Sequence, residues 1–205
     1  MQFLDEMESG DGKGTRMHKP TKTFGLTEPV DLYRKLLFDI ERLRRETTSR
    51  EVQYAAFDCA VDAFHLIDWV LHAVDDDSHI RLTGKRRGAN KTVRGFIETN
   101  RLRLPDLELC RQIANSVKHL VMTFGPQMEN MSTGSMVVFD PPFVAGQPLP
   151  PGFRMYAQAY VQLDGIKHDV TELFEHVSHQ WAVFLRDEGL YVEELDYRVE
   201  TNFEG

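Results

Sequence analysis

The chain has 205 residues with 41% hydrophobic and 27% charged side chains, a composition that fits one globular domain with tails. At this length it can bury about two thirds of its unfolded surface, so folding needs neither a disulfide framework nor a structural metal. The net charge of −8 argues against indiscriminate nucleic-acid binding, and no stretch approaches the ~20 apolar residues that span a bilayer.

Residues 1–24 lack periodicity, are polar, and read as a disordered tail without a secretory leader; the location expected is the cytoplasm. A first helix opens near Thr27 with Pro29 in its first turn, and Val30, Tyr33, Leu36, Leu37, Ile40 and Leu43 form its apolar stripe. Thr48 and Glu51 make a capping box for a second helix running to about Val74. The run Asp75, Asp76, Asp77 reads as its stop, because acids oppose the dipole at a helix C-terminus. A basic loop, LTGKRRGANK, leads to a short helix at Thr92–Thr99. Pro105 and Asp106 open a third long helix reaching about Met122, ended by Gly125 and Pro126. Ser135–Phe139 and Phe153–Leu163 read as strands separated by a proline-rich loop. Asp164 and Gly165 suit a two-residue hairpin turn. Asp169 and Glu172 cap a last helix striped by Val170, Leu173, Phe174, Val177, Trp181, Phe184 and Leu185. Residues 189–205 are an acidic tail. The fold expected is mainly α, a four-helix-type bundle over residues 25–188 with a small β-hairpin inserted at about 135–168.

Cys59 and Cys110 fall on core faces, which makes them small buried hydrophobes and points to a reducing compartment. Charge is uneven along the chain. From Ser78 to Leu120 ten Lys and Arg face three acids, a net of +7, which leaves −15 on the remainder. Lys85, Arg86, Arg87 and Lys91 in the basic loop are therefore candidates to hold a nucleic-acid backbone.

The second helix sets its apolar side (Cys59, Ala63, Leu66, Ile67, Val70) opposite a stripe of Tyr54, Asp58, Asp62, His65, Trp69 and His72. A solvated helix face is usually Lys, Glu, Gln and Arg, and Asp is a poor mid-helix residue, so repeated Asp asks for a reason. The third helix sets Glu108, Arg111, Gln112, Asn115, Ser116 and His119 opposite its apolar side. If both stripes face one cleft, then Asp62, His65, Asn115 and His119 converge with side chains about 4–8 Å apart, because packed helices lie about 8–10 Å apart.

The segment CRQIANSVKH (Cys110–His119), on a late helix of an all-helical bundle, resembles the signature helix of HEPN domains. In that family an Arg is followed, after four to six residues, by a His; here seven intervene. The resemblance spans roughly residues 28–125 and 169–186 and omits the hairpin. It implies metal-independent RNA cleavage across a dimer interface, with Arg111 and His119 as the pair and Asn115 as a polar helper; in that chemistry Asp62 or Asp58 is placed to orient an imidazole. The partners expected are RNA and a second copy or another protein, with no cofactor and no metal.

Two other readings stand beside it. Asp62 and His65 have the i, i+3 spacing of carboxylate–histidine metal pairs, with Glu108 facing them from the third helix. Alternatively the chain is a non-catalytic interaction module whose hairpin edge receives a partner strand. Walker and Rossmann glycine patterns are absent.

Overall fold

The computed structural model describes residues 23–116 and 130–191. Six helices and a three-stranded sheet follow one another as α1 (Pro29–Arg45), α2 (Ser49–Ala73), α3 (Asp76–Thr83), α4 (Thr92–Asn100), α5 (Leu107–Ser116), β1 (Met131–Asp140), β2 (Arg154–Leu163), β3 (Ile166–Asp169) and α6 (Val170–Asp187). The architecture is mainly α, with the small sheet inserted between α5 and α6.

Local chemistry starts and stops these elements. Asp31 accepts hydrogen bonds from the Thr27 and Glu28 amides and anchors the start of α1. The Thr48 hydroxyl accepts from the Glu51 amide and caps α2; the Glu51 carboxylate accepts from that hydroxyl at 2.6 Å in place of the reciprocal backbone bond of the expected capping box. Asp169 accepts from the Thr171 amide and caps α6. Asp164 and Gly165 both have positive φ, at 48° and 85°, the pair of left-handed residues that a tight turn between twisted strands requires.

Two boundaries differ from the sequence expectation. Asp75 ends α2 but also begins α3: its carboxylate accepts from the Ser78 amide at 2.7 Å, and acids that oppose a helix end favour a helix start. The expected hairpin is longer and three-stranded, an antiparallel meander in the order β1-β2-β3 with Met131 opposite Leu163 and Asp140 opposite Arg154. The expected N-terminal tail at 1–24 lies outside the described residues except for Thr23 and Phe24; the acidic tail lies outside from 192 onward, and α5 beyond Ser116 does likewise.

The core gathers on α2, which packs against α1, α5, α6 and β2. Cys59, Ala60, Ala63, Leu66, Ile67 and Val70 are fully buried along it. Trp181 on α6 sits at the centre, its ring beside Phe96 and Phe184 and its indole N–H donated to the Ala63 carbonyl at 3.1 Å. Leu37, expected in the α1 stripe, is 41% exposed; Leu32 is buried instead. The sheet lies on the bundle through Ala157, Ala159 and Val161, and the Ala157 amide donates to the Thr47 carbonyl in the α1–α2 turn.

Candidate functional site: an arginine-rimmed cleft between α2, α4 and α5

The two polar stripes do not share one cleft. The aspartates of α2 face α1. Lys35 donates to Asp39 at 2.7 Å and to both oxygens of Asp62, at 2.7 and 3.0 Å. Arg42 bonds Asp58 and lies 3.4 Å from Asp39. Asp39 and Asp62 are 3% and 4% exposed. Burial pushes the Asp62 carboxyl up to about 7; Lys35 opposes the shift and the neighbouring Asp39 adds to it. Among the described residues, Asp62 and Asp58 meet no imidazole. They close the α1–α2 seam, which gives mid-helix aspartates their reason.

Phe64, two residues and about 200° further round α2, points to the other side. There it lines a cleft of about 540 Å³ together with Val93, Arg94, Ile97, Glu98 and Arg101 of α4 and its end, and Glu108, Arg111 and Asn115 of α5. The floor is apolar and the rim carries three arginines. Arg111 grips Glu108 with two bonds, at 2.6 and 2.9 Å, and Gln112 donates to the same carboxylate. Burial works to raise the Glu108 carboxyl, yet the hydrogen bonds from Arg111 and Gln112 outweigh it and hold the group below its ordinary range. Arg94 pairs with Glu98 at 2.7 Å. Both pairs join residues of the same helix. Arg101 is exposed and forms no ion pair among the described residues.

The cleft thus unites Arg111 and Asn115 and leaves out Asp62. His65 adjoins it through Phe64, whose ring centroid is 5.5 Å away. Its Nδ1 lies 3.5 Å from Asp68, the neighbour one turn on. His119 lies outside the described residues. Sequence reasoning passed over Phe64, Arg94 and Arg101. The +7 stretch was the signal that held the two arginines, but one arginine in a short helix and another just past its end make no motif, and Phe64 reads as one more apolar residue of α2.

The basic loop divides in two. Arg87 is a structural residue: it donates to the Leu71 and Val74 carbonyls, both at 2.7 Å, and pairs with Asp76 at 2.8 Å. It caps the C-terminus of α2 and joins it to α3, which removes it as a contact for a backbone phosphate. The side chains of Lys85, Arg86 and Lys91 meet no acid among the described residues. Lys91, at φ 64°, begins α4.

Cys59 and Cys110 are buried free thiols, and burial pushes both far above the range in which a thiolate nucleophile forms. Among the described residues, no group of three or more His, Cys, Asp or Glu is placed to hold a metal, and no helix is long and apolar enough to cross a membrane. Comparison with family models finds no match to the chain, and comparison with curated proteins and with solved structures finds none either.

Proposed function

We propose that the protein binds RNA in the arginine-rimmed cleft and cleaves it without a metal, in the manner of a HEPN-like domain. The observation that carries this reading is the meeting of Arg111 and Asn115 with Arg94 and Arg101 over an apolar floor. A nucleotide has a flat apolar face and an anionic phosphate, and that combination of surfaces accommodates both. Cleavage by the RNA's own 2′-OH forms a bond from that oxygen to phosphorus and breaks the bond to the 5′-oxygen. The proton leaves the 2′-OH and another is delivered to the departing 5′-oxygen, so imidazole chemistry near neutral pH suffices. His119 is assigned the proton transfers and Arg111 the charge on the phosphorane. His65, 3.5 Å from Asp68, is a second imidazole at the edge of the cleft.

The test is cleavage of end-labelled single-stranded RNA in the presence of a chelator. The expected products carry 2′,3′-cyclic phosphate ends. His119→Ala should remove the activity by about a hundredfold or more without moving the melting temperature. RNA that is bound but not cut, with binding lost in Arg111→Ala, would retain the cleft as an RNA site and discard the cleavage. No binding and no cleavage would discard the reading.

A second reading, an interaction module, has its own observation. β1 offers ten residues of strand with Asp140 as the single charge, and among the described residues it pairs only with β2. An edge without internal charge or proline does nothing to repel an added strand. A second copy pairing β1 antiparallel with itself satisfies two-fold symmetry. Sedimentation of the wild type and of Val137→Lys tests this: a dimer converted to monomer supports it, and a wild-type monomer ends it.

A further inference from the structure

The arginine cleft lies in the stretch that carries +7 on a chain whose net charge is −8. Arg101 is unpaired among the described residues, and Lys85, Arg86 and Lys91 stand just before α4 without acid neighbours. The segment 192–205, outside the described residues, has the complementary chemistry. It carries Glu193, Glu194, Asp196, Glu200 and Glu204 against Arg198, a net of −4. Leu195 and Tyr197 alternate with the first acids, as a ligand for a charged rim over an apolar floor must.

Position favours contact within one chain. The described chain ends at Tyr191, three residues past Glu188. Arg103 holds the Glu188 carboxylate at 2.7 Å and Arg81 holds it at 2.6 Å. Arg101 is two residues from Arg103, so the cleft rim lies beside the end of α6. Tyr191 itself packs edge-on against Tyr33. The fourteen residues beyond it can extend about 46 Å, more than the ~30 Å diameter of a small domain. A tethered segment also acts at high effective concentration, about millimolar for a short flexible link.

We infer that the acidic segment 192–205 docks in cis on the arginine cleft and competes there with RNA. Glu193, Glu194 and Asp196 replace phosphates on Arg101 and its neighbours, and Tyr197 or Leu195 covers Phe64. The inference rests on the cleft being an anion site, and the segment is then its built-in competitor.

Two measurements on the full chain test it separately from RNA cleavage. The first is the rate at which an arginine-selective dicarbonyl reagent labels Arg101, read by peptide mass spectrometry without RNA. In Glu193→Gln/Glu194→Gln/Asp196→Asn the rate should rise at least about threefold over wild type. A control variant, Asp5→Asn/Glu6→Gln/Glu8→Gln, removes the same charge elsewhere and should leave the rate unchanged. Protection should persist on hundredfold dilution; protection lost on dilution would place the segment on another copy and overturn the cis contact. Equal rates in wild type and tail variant would overturn the inference outright. The second measurement is affinity for a fluorescent oligouridylate, which should rise by about threefold or more in the tail variant and not in the control. A labelling change without an affinity change would keep the docked segment and remove RNA as its competitor. An affinity change common to both variants, with constant labelling, would reduce the effect to net charge and overturn the inference.

Discussion

The α1–α2 seam and the α2–α4–α5 cleft are built from the same kinds of residue and do opposite things. In the seam, each acid of α2 meets a cation supplied by α1: Asp62 meets Lys35 and Asp58 meets Arg42. The pairs tie two helices together, and Asp39 and Asp62 are shut from water. In the cleft, the ion pairs of Arg94 with Glu98 and of Arg111 with Glu108 each lie within one helix. Neither of those two pairs bridges the opening, so an anion that competes with Glu98 or Glu108 for its arginine breaks a bond within one helix and not a tie between two. The origin of the partner, a neighbouring helix or the same one, separates a polar stripe that packs from a polar stripe that is available.

The largest effect that would sharpen this contrast is Lys35→Met. It leaves Asp39 and Asp62 buried without their shared cation, and should lower the unfolding free energy by about 2–4 kcal/mol, below the full cost of breaking a buried pair because Lys35 is half-exposed. Urea denaturation measures it; a loss under about 0.5 kcal/mol would show that the seam is ordinary surface.

Next in size is a pH dependence. An acid whose folded pKa is raised binds its proton more tightly folded than unfolded, so its contribution favours the fold below its ordinary range and is lost as pH rises toward 7. Asp62 moves from 3.8 to about 7, so wild type should lose stability relative to Asp62→Asn between about pH 4 and pH 7, by about 1–2 kcal/mol once Lys35 is allowed for. Comparing the two proteins at each pH cancels every other titrating group. A difference that stays flat across the window would contradict the buried, proton-sharing seam.

The smallest effects on stability belong to the cleft. Arg111→Ala breaks a pair within one helix turn and should cost about 1 kcal/mol; Arg101→Ala should fall within about 0.5 kcal/mol of wild type. Both should weaken oligonucleotide binding by more than they weaken the fold. If Arg111→Ala destabilised the protein as much as Lys35→Met, the distinction between seam and cleft would collapse.

What was legible in the chain followed from local rules. Pro29, the Thr48/Glu51 box, the Asp164–Gly165 turn and the Asp169 cap each act within four residues, and each marks a boundary that the structure has. The apolar phase of α2 was readable for the same reason. Asp62 misled because periodicity assigns a residue to a side of its helix and says nothing of what stands on that side. Its partner Lys35 is 27 positions away. Arg87 misled similarly: a glycine-rich basic loop advertises anion binding, while its guanidinium bonds carbonyls 13 and 16 residues back. The triple aspartate carried two messages, a stop for α2 and a start for α3, and only the first was heard. Arg111 and Asn115 share a face by spacing alone, but the α4 wall opposite them depends on how α3 and α4 fold back, which no short-range pattern encodes.

That fold-back depends on a missing methyl group. Gly95 on α4 lies so close to the Thr83 carbonyl that a Cβ there would collide with it. Around the contact, Asn100 donates to the Leu82 and Phe96 carbonyls, and the Thr83 hydroxyl donates to the His79 and Lys85 carbonyls, so α3 and α4 are clamped as one piece. Arg94 flanks Gly95 directly, and Arg101 follows Asn100. The spacing of the cationic rim is therefore gauged by a hydrogen atom at a site that touches no ligand. A side chain at position 95 would act like a shim, tilting the α4 wall and carrying Arg94 and Arg101 with it, so the mouth of the cleft would be reset with every arginine still in the chain.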